Sequence, residues 1–193
     1  MASKIKLSIL LLFLVINAWA QDPSKPFIHK HLTRATLTFG TGYMPQPDLT
    51  NVYIFSDLEY YTGAKISLRG ENFIFLNSLN NQNTLLSHHG IFVGPMYHFK
   101  TNTHLDPFAG IMTGISITET QQSSTIDPTY QIKSGYGYNP LFTSVAGINY
   151  YATRYFHLFI NGRWVGGTHV SQHNKPMNLS EFRFCFGLGF NIL

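Results

Sequence analysis

The chain has 193 residues, of which 44% are hydrophobic, 15% are aromatic and only 11% are charged, and its formal net charge at pH 7 is +4. Two of the lysines, Lys4 and Lys6, lie at the extreme N-terminus and no dense run of Lys and Arg follows them, so a nucleic-acid partner is disfavoured. The single cysteine, Cys185, cannot form an internal disulfide, so the fold needs another source of cohesion.

The N-terminal segment has the pattern of a secretory signal peptide. Lys4 and Lys6 precede an apolar stretch from Ile9 to Ile16, and Ala18-Trp19-Ala20 fits the small-residue cleavage pattern. We therefore predict a cleaved signal peptide over residues 1–20, a periplasmic leader over residues 21–31, and a single domain over residues 32–193.

Large apolar side chains alternate with polar or small ones through most of this domain, the pattern of β-strands with two different faces. It is clearest in the last strand, where the even positions from Phe182 to Ile192 are apolar and the odd positions from Glu181 to Asn191 are polar, charged or small. Eight strands are predicted, near residues 32–43, 51–61, 64–77, 88–100, 106–118, 140–151, 154–165 and 182–193. A rival interpretation of the second and third strands has one long strand over 57–69, followed by a turn at Gly70-Glu71-Asn72.

A strand with a continuous apolar face, of the length that crosses a bilayer (about 9–11 residues), is typical of transmembrane barrels. The predicted fold class is therefore all-β, an eight-stranded antiparallel transmembrane β-barrel with short periplasmic turns and longer extracellular loops. The longer loops are expected at residues 77–86, 119–138 and 166–178. No transmembrane helix is predicted.

Strand parity places nearly all charged side chains of the predicted strands on the inner face. Five are positive and four negative, so they nearly cancel: Arg34, Lys65, Arg69, Arg163, Arg183, Asp57, Glu59, Glu71 and Glu181. The interior of an eight-stranded barrel is just wide enough for side chains to fill, and buried charges require partners. The sequence thus predicts a plugged, charge-balanced lumen; a small-solute pore is a further alternative.

The chain resembles small outer-membrane barrels of Gram-negative bacteria, in the OmpA/OmpX-like superfamily and in the porin-like family of Bacteroidetes type. The resemblance is carried by four segments: residues 94–99 (GPMYHF), 107–110 (PFAG), 146–151 (AGINYY) and 182–193. It implies a monomer in the outer membrane that contacts lipid and lipopolysaccharide. It also implies recognition by the barrel-assembly machinery through the C-terminal strand, although Leu193 replaces the usual final Phe. The implied role is envelope structure or surface interaction through the extracellular loops.

The segment Thr168-His169-Val170-Ser171-Gln172 also resembles the motif of outer-membrane lipid A 3-O-deacylases, which are esterases. The resemblance implies Ser171 as nucleophile, His169 as general base and Glu181 as the carboxylate that orients the base. Gln172 departs from that motif, and parity turns His169, Ser171 and Glu181 towards the lumen. A bulge at Gly166-Gly167 would turn His169 and Ser171 outwards but would leave Glu181 pointing inwards. We therefore favour a non-enzymatic barrel, and we expect neither a cofactor nor a metal site, because no clustered carboxylate or cysteine completes the pairs His29/His31 and His88/His89.

Overall fold

The computed structural model describes residues 28–80, 84–101, 103–123, 131–170 and 176–192. Within these ranges ten strands follow one another along the chain: β1 (Thr33–Met44), β2 (Leu49–Tyr61), β3 (Ile66–Ser78), β4 (Leu85–His98), β5 (Leu105–Ser123), β6 (Gln131–Lys133), β7 (Gly137–Tyr150), β8 (Phe156–His169), β9 (Met177–Asn178) and β10 (Glu181–Ile192). The predicted signal peptide and most of the predicted leader lie outside the described residues. The part of the chain that the structure describes contains no helix long and apolar enough to cross a membrane.

The eight long strands close into an antiparallel barrel. Each of them pairs with the next long strand along the chain, and β10 pairs with both β8 and β1. The short strands lie off this ring, since β6 pairs with the end of β5 and β9 with the end of β8. The predicted eight-stranded antiparallel barrel is confirmed. Closure leaves no long strand with an unpaired edge.

The wall of the barrel follows the alternation in the sequence. In β10 the side chains of Phe182, Phe186 and Ile192 are exposed, whereas those of Glu181 and Arg183 are buried inside. The same alternation runs through the other long strands and exposes these large apolar side chains on the outer face: Leu37, Phe39, Leu58, Leu68, Ile74, Ile91, Val93, Ile111, Ile115, Ile148, Leu158 and Ile160. The outer wall of the barrel is therefore an apolar belt.

The two ends of the barrel differ. At the terminal end, where β1 begins and β10 ends, the strands are linked through residues 62–65, 99–104 and 151–155. At the loop end the links are 45–48, 79–84 and two longer segments that carry β6 and β9. The two segments that carry β6 and β9 are longer than any link at the terminal end, an asymmetry that is typical of outer-membrane barrels.

Three details differ from the sequence-based expectation. The strand β3 runs without interruption through Gly70-Glu71-Asn72, so the rival interpretation with a turn at these residues is wrong. The expected loop 119–138 is partly strand, because β5 extends to Ser123 and pairs there with β6. The expected loop 166–178 likewise begins with the last four residues of β8, which pair with β7 and β9.

The interior is filled by side chains. Towards the loop end it is mainly apolar, with these buried residues: Met44, Leu49, Leu85, Leu141, Val165, Met177 and Leu179. Towards the terminal end the interior is filled mainly by aromatic rings and charged side chains. The charged groups form the candidate site.

Candidate functional site

A group of five ionisable side chains lies inside the barrel near its terminal end; we call Arg34, Glu59, Arg69, His98 and Asp106 the terminal cluster. All five are almost fully buried. Glu59 lies opposite Arg34 on β1 and opposite Arg69 on β3. The Nε atoms of both arginines donate to Oε2 of Glu59 at 2.9 Å, and Nη2 of Arg69 donates to the same oxygen at 2.6 Å. One carboxylate therefore joins three neighbouring strands.

His98 extends this cluster from Glu59 to Asp106. Its Nε2 lies 2.8 Å from Oε1 of Glu59, and its Nδ1 lies 2.9 Å from Oδ1 of Asp106. A neutral imidazole carries only one N–H, whereas two carboxylates at the two ring nitrogens require two donors. The geometry therefore suits an imidazolium, which supplies a positive charge between the two carboxylates.

Two tyrosines close the terminal end of this cluster. The hydroxyl of Tyr61 donates to Oδ2 of Asp106 at 3.2 Å and lies 3.0 Å from the hydroxyl of Tyr151. Burial raises the pKa of Tyr151, which lies in the turn after β7, to about 12, so its hydroxyl stays protonated. Asn149 donates a further hydrogen bond to Oδ2 of Asp106 at 2.8 Å. Both oxygens of the Asp106 carboxylate thus have donors.

A second group of charges lies further towards the loop end; we call Glu71, Arg163, Glu181 and Arg183 the loop-side cluster. Nε of Arg183 donates to Oε2 of Glu181 at 2.5 Å, and Arg163 forms an ion pair with Glu71. The Arg183 guanidinium also lies over three aromatic rings, with its Cζ 4.0 Å from the ring centre of Phe73, 4.5 Å from that of Tyr53 and 5.9 Å from that of Phe55. Such contacts stabilise a desolvated guanidinium by about 2 kcal/mol or more.

The Glu181 carboxylate is held by polar groups of β2. Asn51 Nδ2 donates to Oε1 at 2.9 Å, and the Tyr53 hydroxyl lies 2.9 Å from Oε1 and 3.0 Å from Oε2. Gly42 on β1 makes room for this carboxylate, since a Cβ atom at that position would collide with Glu181. A side chain at position 42 would therefore displace the Glu181 carboxylate from these hydrogen bonds.

Several atoms of the loop-side region have no hydrogen-bond partner among the described residues. They are Nη1 and Nη2 of Arg183, Nε of Arg163, Oε2 of Glu71, Oδ1 of Asp57 and Nε2 of His88. In the terminal cluster, by contrast, both oxygens of Glu59 and both ring nitrogens of His98 have partners. Buried polar groups without partners are destabilising.

The structure places eight of the nine predicted lumen charges on the inner side of the wall. Seven of them belong to the two clusters, and Asp57 lies partly buried beside Thr36, whose hydroxyl donates to its Oδ2. The exception is Lys65. It lies exposed in the turn 62–65, because the alternation of β3 begins only at Ile66. Lys65 is therefore not part of the lumen network.

Sequence reasoning missed His98 and Asp106. Without Lys65, the described interior holds four arginines (Arg34, Arg69, Arg163, Arg183) against five carboxylates (Asp57, Glu59, Glu71, Asp106, Glu181). A protonated His98 makes the count five against five. Asp106 is two residues before Phe108 and therefore on the same, inward face of its strand. This alternation could have identified Asp106 as a lumen charge, but Asp106 lies at a strand end, where the face of a residue is hard to assign from sequence.

The two described residues of the esterase alternative, His169 and Glu181, have different hydrogen-bond partners. His169 faces the lumen, with Nε2 3.2 Å from Oγ of Ser134 and Nδ1 3.3 Å from Nδ2 of Asn139. Glu181 is bound by Asn51, Tyr53 and Arg183 and forms no hydrogen bond with His169. The pairing of β7 with β8 passes through Gly166 and Gly167 without a register shift, so the considered bulge is absent. Ser171 lies outside the described residues.

The histidine pairs also separate. His88 is buried inside the barrel and bonds the hydroxyl of Tyr53, whereas His89 lies on the other face of β4 and accepts from the backbone N–H of Phe75. His29 and His31 are exposed before β1. Across the described ranges there is no group of three or more His, Cys, Asp or Glu side chains that could hold a metal ion. Cys185 is buried, and its thiol donates to Oδ1 of Asn161 at 3.2 Å.

Comparisons with known proteins identify the fold. No protein-family model matches the chain, and no curated protein matches it. Solved structures do match. Neisserial surface protein A is similar over 83% of this chain and 96% of its own, with a TM-score of 0.61 and 11% sequence identity. The outer membrane protein OprG from Pseudomonas aeruginosa is similar over 87% of this chain and 99% of its own, with a TM-score of 0.56 and 8% identity.

The N-terminal β-barrel domain of OprF from Pseudomonas aeruginosa is also similar, over 84% of this chain and 98% of its own, with a TM-score of 0.53 and 16% identity. At these identities the likeness concerns the fold alone. The chain therefore has the fold of the small eight-stranded outer-membrane β-barrels, as its sequence pattern predicts.

Proposed function

We propose that this protein is an integral outer-membrane β-barrel with a closed lumen, which displays the surface of its loop end outside the cell. The apolar belt is the observation that carries the proposal. A water-soluble protein rarely exposes an apolar patch larger than a few hundred Å², whereas this belt surrounds the entire barrel. In a bilayer the same belt faces hydrocarbon and the closed ring of strands leaves no backbone edge in lipid.

Matched charge substitutions test membrane insertion. Phe186 is the sixth of the 12 residues of β10 and is 67% exposed, while Tyr136 is 68% exposed but lies outside the strands at the loop end. We expect Phe186→Arg to lower the free energy of unfolding in lipid vesicles by about 2–4 kcal/mol, because the charge lies near the middle of the bilayer. We expect Tyr136→Arg to change it by less than about 0.5 kcal/mol.

In a water-soluble protein, arginine at Phe186 and arginine at Tyr136 would change the free energy of unfolding by similar small amounts, because the two side chains are equally exposed. Equal effects of the two substitutions would therefore contradict insertion, as would wild-type protein that stays soluble without detergent and does not float with vesicles. Separation of the inner and outer membranes tests the location of the protein. The proposal predicts that the folded protein is found in the outer-membrane fraction.

The surface role rests on the loop end. Tyr136 and Tyr138 are among the most exposed aromatic side chains described, at 68% and 75%, and Val170, whose backbone N–H donates to Oδ1 of Asn139, is also exposed. Tyrosine offers a large rigid contact area with a polar hydroxyl, which suits recognition by binding partners. The filled interior supports an anchoring and display role over transport.

Cysteine labelling of intact cells tests which end faces outwards. Cys185 is buried, so a membrane-impermeant maleimide should report only an introduced cysteine. We expect labelling of Tyr136→Cys on intact cells and labelling of Arg154→Cys, in a turn at the terminal end, only after the outer membrane is permeabilised. The reverse pattern would contradict display of the loop end.

A further inference from the structure

A hydrogen-bonded polar pair interrupts the apolar belt halfway up the outer wall. Ser56 on β2 and Asn72 on β3 lie opposite each other, and Oγ of Ser56 donates to Oδ1 of Asn72 at 2.7 Å. Asn72 is the seventh of the 13 residues of β3, so it lies at the midpoint of the strand. The pair thus faces the region where the bilayer is most apolar.

The surroundings of the pair offer its amide no partner. In the strand register Ser56 adjoins Leu37 and Asn72 adjoins Ile91, and both of these apolar side chains are exposed. Nδ2 of Asn72 donates no hydrogen bond to any residue that the structure describes. In hydrocarbon an unsatisfied polar group costs several kcal/mol, and acyl chains carry no acceptor for it.

The outer wall next to the pair has room for another protein surface to approach closely. Gly70 points outwards two residues before Asn72, and a Cβ atom placed there would meet nothing within 4 Å. Its register partners are Leu58 on β2 and Val93 on β4. Small residues at a lipid-facing surface allow two backbones to approach closely.

We propose that the β2–β3 face binds the same face of a second copy of this chain within the membrane. The pair is suited to a two-fold contact, because Asn72 has spare donors and Ser56 has spare acceptor lone pairs. In such a contact Nδ2 of Asn72 donates to Oγ of the partner's Ser56, and the partner's Asn72 does the same in return. The inference rests on the proposed membrane insertion and departs from the monomer expected from the sequence.

Energy transfer between purified barrels in lipid vesicles tests this contact. Protein labelled with donor or acceptor dye at Tyr136→Cys is diluted with lipid over a range of protein-to-lipid ratios. We expect reversible self-association of the otherwise unchanged chain, weakened about tenfold or more by Asn72→Leu, because each membrane-buried side-chain hydrogen bond contributes about 1–2 kcal/mol. Ser56→Ala removes the acceptor of the same two bonds and should weaken association to a similar extent.

The matched control is Ser144→Ala, which removes an outward hydroxyl from the middle of β7, on the opposite side of the barrel from the β2–β3 face. It should leave the association constant within about twofold of the parent value. Energy transfer no higher than random encounters produce, or association of Asn72→Leu equal to that of the parent, would overturn the inference. Flotation of each variant with the vesicles separates the two proposals, since protein that fails to float contradicts membrane insertion and protein that floats without associating contradicts only the pairing.

Discussion

The terminal cluster and the loop-side cluster fill the same narrow lumen in different ways. In the terminal cluster a single carboxylate, Glu59, receives hydrogen bonds from two guanidinium groups and one imidazole. In the loop-side cluster Arg183 keeps one ion pair and otherwise rests on aromatic rings, and its two terminal nitrogens lack hydrogen-bond partners. The first arrangement depends on every charge being present, whereas the second depends largely on packing.

This difference indicates where the barrel tolerates change. Removing one member of a fully paired buried network leaves the others desolvated and uncompensated, which is strongly destabilising. In the Glu181–Arg183 pair the guanidinium already lacks hydrogen-bond partners at two of its nitrogens. Replacing both residues together by uncharged side chains of similar volume therefore leaves no unpaired buried charge and costs less stability. Three variants compare the clusters, from the largest expected effect to the smallest, and a fourth serves as the matched control of the last.

Glu59→Gln should have the largest effect. The substitution removes the charge that compensates Arg34, Arg69 and the imidazolium of His98, so we expect a loss of about 3–5 kcal/mol in the free energy of unfolding. Urea-dependent unfolding of the barrel in lipid vesicles, followed by tryptophan fluorescence, measures it. A loss below about 1 kcal/mol would mean that the terminal cluster is not held together by this carboxylate.

His98→Gln should have a moderate effect. An uncharged amide can donate towards one carboxylate at a time, so a charged hydrogen bond worth about 1.5–3 kcal/mol is lost. The parent protein offers a direct check of the cause, because ¹⁵N resonances of the His98 ring should show both nitrogens protonated at neutral pH. A neutral ring with one unprotonated nitrogen would remove the fifth positive charge from the lumen.

The double variant Glu181→Gln with Arg183→Met should have the smallest effect. It removes an ion pair together with the unpaired guanidinium nitrogens, and the methionine retains contact with Phe73, so we expect a change within about 1 kcal/mol. The matched double variant Glu59→Gln with Arg69→Met still leaves Arg34 without its carboxylate and His98 with one carboxylate instead of two, and it should lose more than about 3 kcal/mol. Equal losses in the two double variants would contradict the difference between the clusters.

The strands could be predicted from the sequence because alternation is a local signal. Phe182 to Ile192 and the outward residues of the other long strands carry the pattern directly, and the closed barrel follows from pairing them in order. The inward position of Arg34, Glu59, Arg69, Arg163 and Arg183 follows from the same parity.

Features that depend on register or on strand ends could not be predicted in this way. Lys65 shares parity with Arg69 but lies in a turn, where parity has no meaning. His98 lies at the end of β4 and Asp106 near the start of β5, so their contact depends on the register between these two strands. The exposed pair of Ser56 and Asn72 likewise becomes visible only when β2 is aligned with β3.

The central claim is that the barrel crosses the membrane with a lumen closed by its own side chains. Conductance across planar lipid bilayers tests it most directly, with incorporation of the folded protein verified by flotation of the same preparation. The account predicts no stable conductance steps for the parent protein, because charged and aromatic side chains occupy the interior. Stable, reproducible steps from the folded parent protein would show an open path through the lumen and would contradict the account.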